Sequence, residues 1–146
     1  MKIAVASDHA GYEFKTILSG FIKEQGHQIL DFGTYSTESV DYPDFAFPAA
    51  EAVASLVADY GMLICGTGIG MSIVANKVQG IRAALCTTPY MAEMARHHNN
   101  ANVICFGART TELENAKEML KIFLEEDFLG DRHMIRVEKI HNLTGN

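Results

Sequence analysis

The chain has 146 residues, 48% of them apolar and 21% charged, with a formal net charge of −6. That size suits one domain, residues 1–146, with a proper hydrophobic core. The acidic balance argues against a nucleic-acid surface and a basic membrane-binding face. No apolar run approaches the roughly 20 residues of a membrane span and no leader pattern opens the chain, so a cytoplasmic protein is expected.

Residues 2–7 form an apolar run that reads as a central strand. Asp8 and His9 follow it. Phe14, Ile17, Leu18, Phe21 and Ile22 then recur at three- and four-residue spacing, one face of a helix that Gly26 ends. Asp8 is placed to cap this helix. Together with His9 it also stands at the carboxyl end of a strand, where open parallel sheets bind their ligands.

Residues 27–32 read as a second strand and 33–43 as a polar loop. Tyr42, near the loop's end, either packs at its base or touches a ligand. An Ala-rich helix is expected over 45–58, with Ala46, Ala49, Val53, Leu56 and Val57 as its apolar face. Gly61 leads into a buried strand, Met62–Cys65.

Cys65-Gly66-Thr67-Gly68-Ile69-Gly70-Met71 is the most informative stretch, with a helix expected over 72–76. Three glycines let the backbone turn sharply and bring its N–H groups close to a ligand. The start of the following helix favours an anion there, and a thiolate at Cys65. The same residues also fit a tight turn with a buried cysteine. A P-loop is excluded because the first lysine is Lys77, and a dinucleotide fingerprint because the spacing is Gly-x-Gly-x-Gly. A cysteine-dependent phosphatase would need an arginine closing the loop, where Met71 and Ser72 stand.

Strands are expected over 81–85 and 102–106, with a helix from Pro89 to His97 between them. Cys86 and Cys105 read as core residues, and the three cysteines form no Cys-x-x-Cys, so neither a zinc site nor a disulfide framework is expected. His97 and His98 are adjacent, so at most one serves a shared site. That one is either a general acid–base group or a cation favoured by a helix C-terminus. Leu113, Ala116, Leu120, Phe123 and Leu124 mark another amphipathic helix. Arg132 and Arg136 are four apart, sharing a helix face as a phosphate grip or a solvated basic face. The alternation predicts an α/β domain, a Rossmann-like parallel sheet of about five strands flanked by helices, with a C-terminal helix. Ser7–His9, Cys65–Gly70 and Gly107–Arg109 all fall at strand carboxyl ends, which predicts one crevice.

In this order the motifs resemble ribose-5-phosphate isomerase type B, whose wider family includes the galactose-6-phosphate isomerase subunits. The matching pieces are Ser7-Asp8-His9-Ala10-Gly11, Asp41-Tyr42-Pro43, Cys65 to Ile73, Ala75-Asn76-Lys77 and Gly80-Ile81-Arg82-Ala83. Arg96 to Val103, Phe106-Gly107-Ala108-Arg109, Gly130-Asp131-Arg132-His133 and Arg136-Val137 complete the set. One branch of that family replaces the cysteine base with a carboxylate just after the loop. Residues 71–75 contain no acid, so the cysteine branch is the one resembled.

The resemblance implies interconversion of an aldose phosphate and a ketose phosphate, with no metal and no cofactor. Cys65 is then the base moving a proton between C1 and C2, and Thr67 assists at the enediol hydroxyl. Backbone N–H groups from Gly66 through Gly68 to Gly70 stabilise the enediolate. His98 opens the furanose ring, with Asp8 on the sugar side. His9, Arg109, Arg132 and Arg136 hold the phosphate, while Asn99 and Tyr42 contact sugar hydroxyls. The resemblance also implies a homodimer or dimer of dimers with sites shared between chains. Ribose 5-phosphate is the expected substrate. The alternatives are allose 6-phosphate, galactose 6-phosphate, or a non-catalytic sugar-phosphate-binding subunit.

Overall fold

The computed structural model describes residues 1–145. Five parallel strands make one sheet: β1 (Lys2–Ser7), β2 (Gln28–Asp31), β3 (Tyr60–Cys65), β4 (Ala83–Leu85) and β5 (Val103–Gly107). Their spatial order is β2-β1-β3-β5-β4. The helices are α1 (Tyr12–Glu24), α2 (Pro43–Ala54), α3 (Ile69–Ala75), α4 (Pro89–Asn99), α5 (Leu113–Glu125) and α6 (Asp131–Thr144).

The three central strands are buried on both faces, which is why they read as continuous apolar runs. On one face Ile3, Val5, Met62, Ile64, Ile104 and Phe106 pack with Leu18 and Ile22 of α1, Ala92 of α4 and Phe123 of α5. On the other, Ala4, Ala6, Leu63 and Cys105 meet Ala46, Ala49 and Ala50 of α2 and Met71 of α3. The small side chains on this second face match the Ala-rich α2.

Several expected boundaries move. α2 starts at Pro43 and ends at Ala54, so Leu56 and Val57 leave the helix and are exposed. Ser55 caps the end, its hydroxyl donating to the Glu51 carbonyl at 2.7 Å, and Leu56 turns into the left-handed region at φ 60°. α3 begins inside the glycine stretch, at Ile69 rather than Ser72. β4 is only Ala83–Leu85, short as an edge strand tends to be. α1 is rotated from its expected face: Ile17 is exposed, and Lys15 joins Leu18 and Ile22 on the buried stripe.

The chain passes from β1 out to β2 and returns to the other side of β1 for β3. The carboxyl ends of β1 and β3 therefore flank a topological switch point, where such sheets form their crevice. The expected convergence of strand ends is borne out: Ser7 pairs with Ile64 and Cys65 with Gly107.

Candidate active site

Asp8 leaves β1 with its N–H donating to the Ile64 carbonyl at 3.1 Å. Its carboxylate caps the short turn after it, accepting from the Gly11 N–H at 3.0 Å. This tight entry depends on Gly11, because a Cβ there would stand 2.7 Å from the Ile64 carbonyl oxygen. His9 Nδ1 accepts from the Val40 N–H at 3.2 Å, which ties the loop after β2 to the crevice.

Cys65 is the last residue of β3 and is buried. Its Sγ accepts a hydrogen bond from the Gly68 N–H at 3.1 Å. The glycine turn thus aims a backbone donor at the sulfur. The turn needs glycine at 68: φ is +76°, and a Cβ would meet the Phe106 backbone at 2.8 Å. Thr67 is exposed beside it, its hydroxyl accepting from the Ile69 N–H at 3.4 Å. Gly68 and Ile69 thus direct their amides to Cys65 and Thr67.

The segment after β5 closes over this loop. Ala108 and Arg109 donate their N–H groups to the Cys65 and Gly66 carbonyls, at 2.9 and 3.0 Å. The Arg109 guanidinium lies above Gly66, its Nη1 3.5 Å from where a Cβ would be. Tyr42 stands over Gly70, where a Cβ would be 2.8 Å from the phenol ring. Tyr42 thus packs against the glycine stretch. Asp8, His9, Tyr42, Cys65, Gly66, Thr67, Gly68, Gly70 and Arg109 therefore share one end of the sheet.

The remaining expected residues lie elsewhere in the chain. α4 starts after β4 and runs back, so its last turn comes to the start of β5, where the Asn102 carbonyl accepts from the Gly61 N–H at 2.9 Å. His98 and exposed Asn99 are at that far edge. β3 alone separates the two edges by about 16 Å. α6 begins near the same place, because the Leu129 N–H donates to the His97 carbonyl at 3.2 Å. Arg132 and Arg136 are exposed on α6, and the His98 ring stacks on His133. One chain thus carries two groups of site candidates at opposite edges of the sheet.

The two adjacent histidines are told apart by their partners. His97 bonds the Glu126 carboxylate at 2.7 Å and lies 3.6 Å from Glu93, so it ties α4 to the segment after α5. His98 faces α6. The other thiols are unsuited to proton transfer: burial pushes Cys86 up to about 12, and Cys105, fully buried, is also raised. Nothing in the sequence marks Lys15, Asp31 or His133 for a role. His133 follows Arg132 in the sequence, but only its stacking partner reveals its place.

The Ribose/Galactose Isomerase family pattern matches residues 3–140. The chain belongs to this family. It is 46% identical to ribose-5-phosphate isomerase B of Escherichia coli (strain K12), over 95% of this chain and 93% of that protein. It is 42% identical to D-erythrulose-4-phosphate isomerase of Pectobacterium atrosepticum, over 96% of this chain and 93% of that protein. Among solved structures, Clostridium thermocellum ribose-5-phosphate isomerase B is similar with a TM-score of 0.98 and 50% identity, covering 99% of this chain and 98% of that one. The Trypanosoma brucei type B ribose 5-phosphate isomerase follows at 0.94 and 47%, covering 97% of both chains. The five-stranded parallel fold is therefore the fold of this isomerase family, as the sequence led one to expect.

Proposed function

We propose that this chain is an aldose–ketose isomerase that interconverts ribose 5-phosphate and ribulose 5-phosphate through a cis-enediolate, with Cys65 as the base. The observation that carries the reading is the 3.1 Å hydrogen bond from the Gly68 N–H to Cys65 Sγ at the sheet's switch point. The similarity to proteins named ribose-5-phosphate isomerase B supports the choice of substrate.

The furanose opens as the C1 hydroxyl loses its proton, the bond from C1 to the ring oxygen breaks and His98 delivers a proton to that oxygen, with Asp8 on the sugar side. The Cys65 thiolate then removes the C2 proton of the open aldose, and the electron pair moves onto the carbonyl oxygen. The resulting enediolate is held by the glycine-loop amides not engaged with Cys65 or Thr67. Thr67 assists proton movement between the two oxygens. Cys65 returns its proton to C1, giving the ketose with no net gain or loss of atoms. His9, Arg109, Arg132 and Arg136 hold the phosphate, and binding energy there orients the reacting carbons. Tyr42 and Asn99 contact sugar hydroxyls.

Because His98, Asn99, Arg132 and Arg136 lie across the sheet from Cys65, a second copy of the chain supplies them to each site. A homodimer is the smallest unit that does so. All three cysteines are free, which fits a reducing compartment such as the cytoplasm.

The test is turnover of ribose 5-phosphate by purified protein in EDTA, beside Cys65→Ala. Activity in chelator that disappears in the variant, with phosphate-ligand binding retained, is the expected result. Full activity in the variant would discard Cys65 as base. The similarity to the D-erythrulose-4-phosphate isomerase makes the tetrose phosphate the first alternative substrate. Allose and galactose 6-phosphates follow, and binding without any turnover would indicate a non-catalytic subunit.

A further inference from the structure

Lys15 is only 1% exposed, an unusual place for a charge. A methionine would continue the Leu18–Ile22 stripe without the desolvation cost, and buried ion pairs are often no more stable than such replacements. Stability alone does not account for a lysine here. Its contacts do point somewhere: the ammonium reaches Asp31 Oδ1 at 2.5 Å and the Thr34 carbonyl at 2.9 Å. The same Asp31 oxygen accepts from the Gly33 N–H at 2.9 Å. Tyr35 donates its hydroxyl to the Asp31 carbonyl at 3.0 Å, and its ring lies 5.2 Å from the ammonium.

This clamped segment is the one that pairs with the end of β1. The Ser7 N–H donates to the Gly33 carbonyl at 2.7 Å, and the Thr34 N–H to the Ser7 carbonyl at 2.8 Å. On its other side the chain is held by the bond from Asp8 N–H to Ile64. Downstream, the same segment delivers Val40 to His9 and Tyr42 to Gly70.

We infer that Lys15 and Asp31 are positioning residues for the reaction: the ion pair of the buried lysine with Asp31 fixes the root of the 33–42 loop against β1 and so sets Asp8, His9 and Tyr42. The inference rests on the function proposed above. Neither side chain belongs to the group that faces the crevice, and both act through the backbone of residues 7 and 33–34.

The experiment compares wild type with Lys15→Met, Asp31→Leu and a control, Leu18→Ala, which damages the same helix without touching the clamp. In Lys15→Met, kcat/KM for ribose 5-phosphate falls about tenfold or more, mainly through KM. Amide exchange at Ser7, Thr34 and Val40 quickens about tenfold relative to Leu63 in β3. Leu18→Ala, assayed well below its unfolding transition, stays within about threefold of wild type and shows no selective exchange. Asp31→Leu, whose residue is partly exposed, gives the same pattern as Lys15→Met and carries the test if that variant fails to fold. Unchanged kcat/KM and exchange in the clamp variants, or an equal pattern in Leu18→Ala, would overturn the inference. A wild type without turnover would defeat the proposed function instead, while the exchange pattern would still decide whether the clamp orders the loop.

Discussion

The imidazoles of His98 and His133 stack with centroids 4.1 Å apart and planes 5° from parallel, joining the last turn of α4 to the first turn of α6. Burial, then the neighbouring His98, Arg132 and Arg136, hold His133 below its ordinary value of 6.5, with Asp131 opposing them. The folded protein therefore binds this proton less readily than the unfolded chain does. The stability contribution is complete above 6.5 and is lost as pH falls through 6.5 toward the lower folded value. His133→Phe keeps a ring on His98 and removes the titration. Between about pH 7.5 and 5.5 the thermal midpoint of wild type should fall further than that of the variant. Equal falls would show that His133 is not the group responsible.

The parts of the fold that were legible in the sequence have a common physical origin. β1, β3 and β5 lie inside the sheet, so each reads as an uninterrupted apolar run closed by glycine or polar residues. That pattern identified the carboxyl ends where Asp8, Cys65 and Arg109 meet. Residues whose role depends on a distant partner were not legible. A lysine on an amphipathic helix looks solvated until Asp31 is seen beside it. His97 and His98 differ only in what faces them. Arg132 and Arg136 share a helix face, as their spacing required, but spacing does not say at which edge of the sheet that face lies. Leu56 and Val57 continued a plausible stripe, and the chain left the helix before reaching them.

Gly70 allows a second prediction because it lies inside α3, with the Tyr42 ring nearest to where a Cβ would stand. Alanine favours a helix by up to about 1 kcal/mol over glycine. Its Cβ would sit 2.8 to 3.1 Å from three ring carbons, and a tyrosine side chain can swing away. Gly70→Ala should keep or slightly raise the thermal midpoint while raising KM several-fold. Adding Tyr42→Ala should cost little more, since the first change has already displaced the ring. Additive losses in the double variant would separate Tyr42 from Gly70.

Gly68→Ala should behave differently. Here φ is +76°, and the new Cβ would meet Leu85 at 2.5 Å and the Phe106 backbone at 2.8 Å. The left-handed conformation and the overpacking together cost about 2–5 kcal/mol. Urea unfolding should show that loss, with activity falling because the N–H that faces Cys65 is displaced. A variant as stable as wild type would mean that the loop relaxes far more easily than its contacts with β5 suggest.

The three thiols supply the last prediction. Cys86 is held up to about 12 by burial, and Cys105 is raised by burial first and by its neighbours Cys86 and Cys65. All three are buried, Cys86 in one core layer and Cys65 and Cys105 in the other, but Cys65 alone ends its strand in the glycine loop at the crevice. Alkylation follows the thiolate and its access. Iodoacetamide at about pH 7.5 should therefore modify Cys65 first, and the other two only after unfolding. Peptide mapping by mass spectrometry would assign the site, and isomerase activity should disappear in step with modification at Cys65. A sugar-phosphate ligand should slow both processes together. Modification of Cys86 or Cys105 first, or activity that survives a fully alkylated Cys65, would remove Cys65 from the role of base.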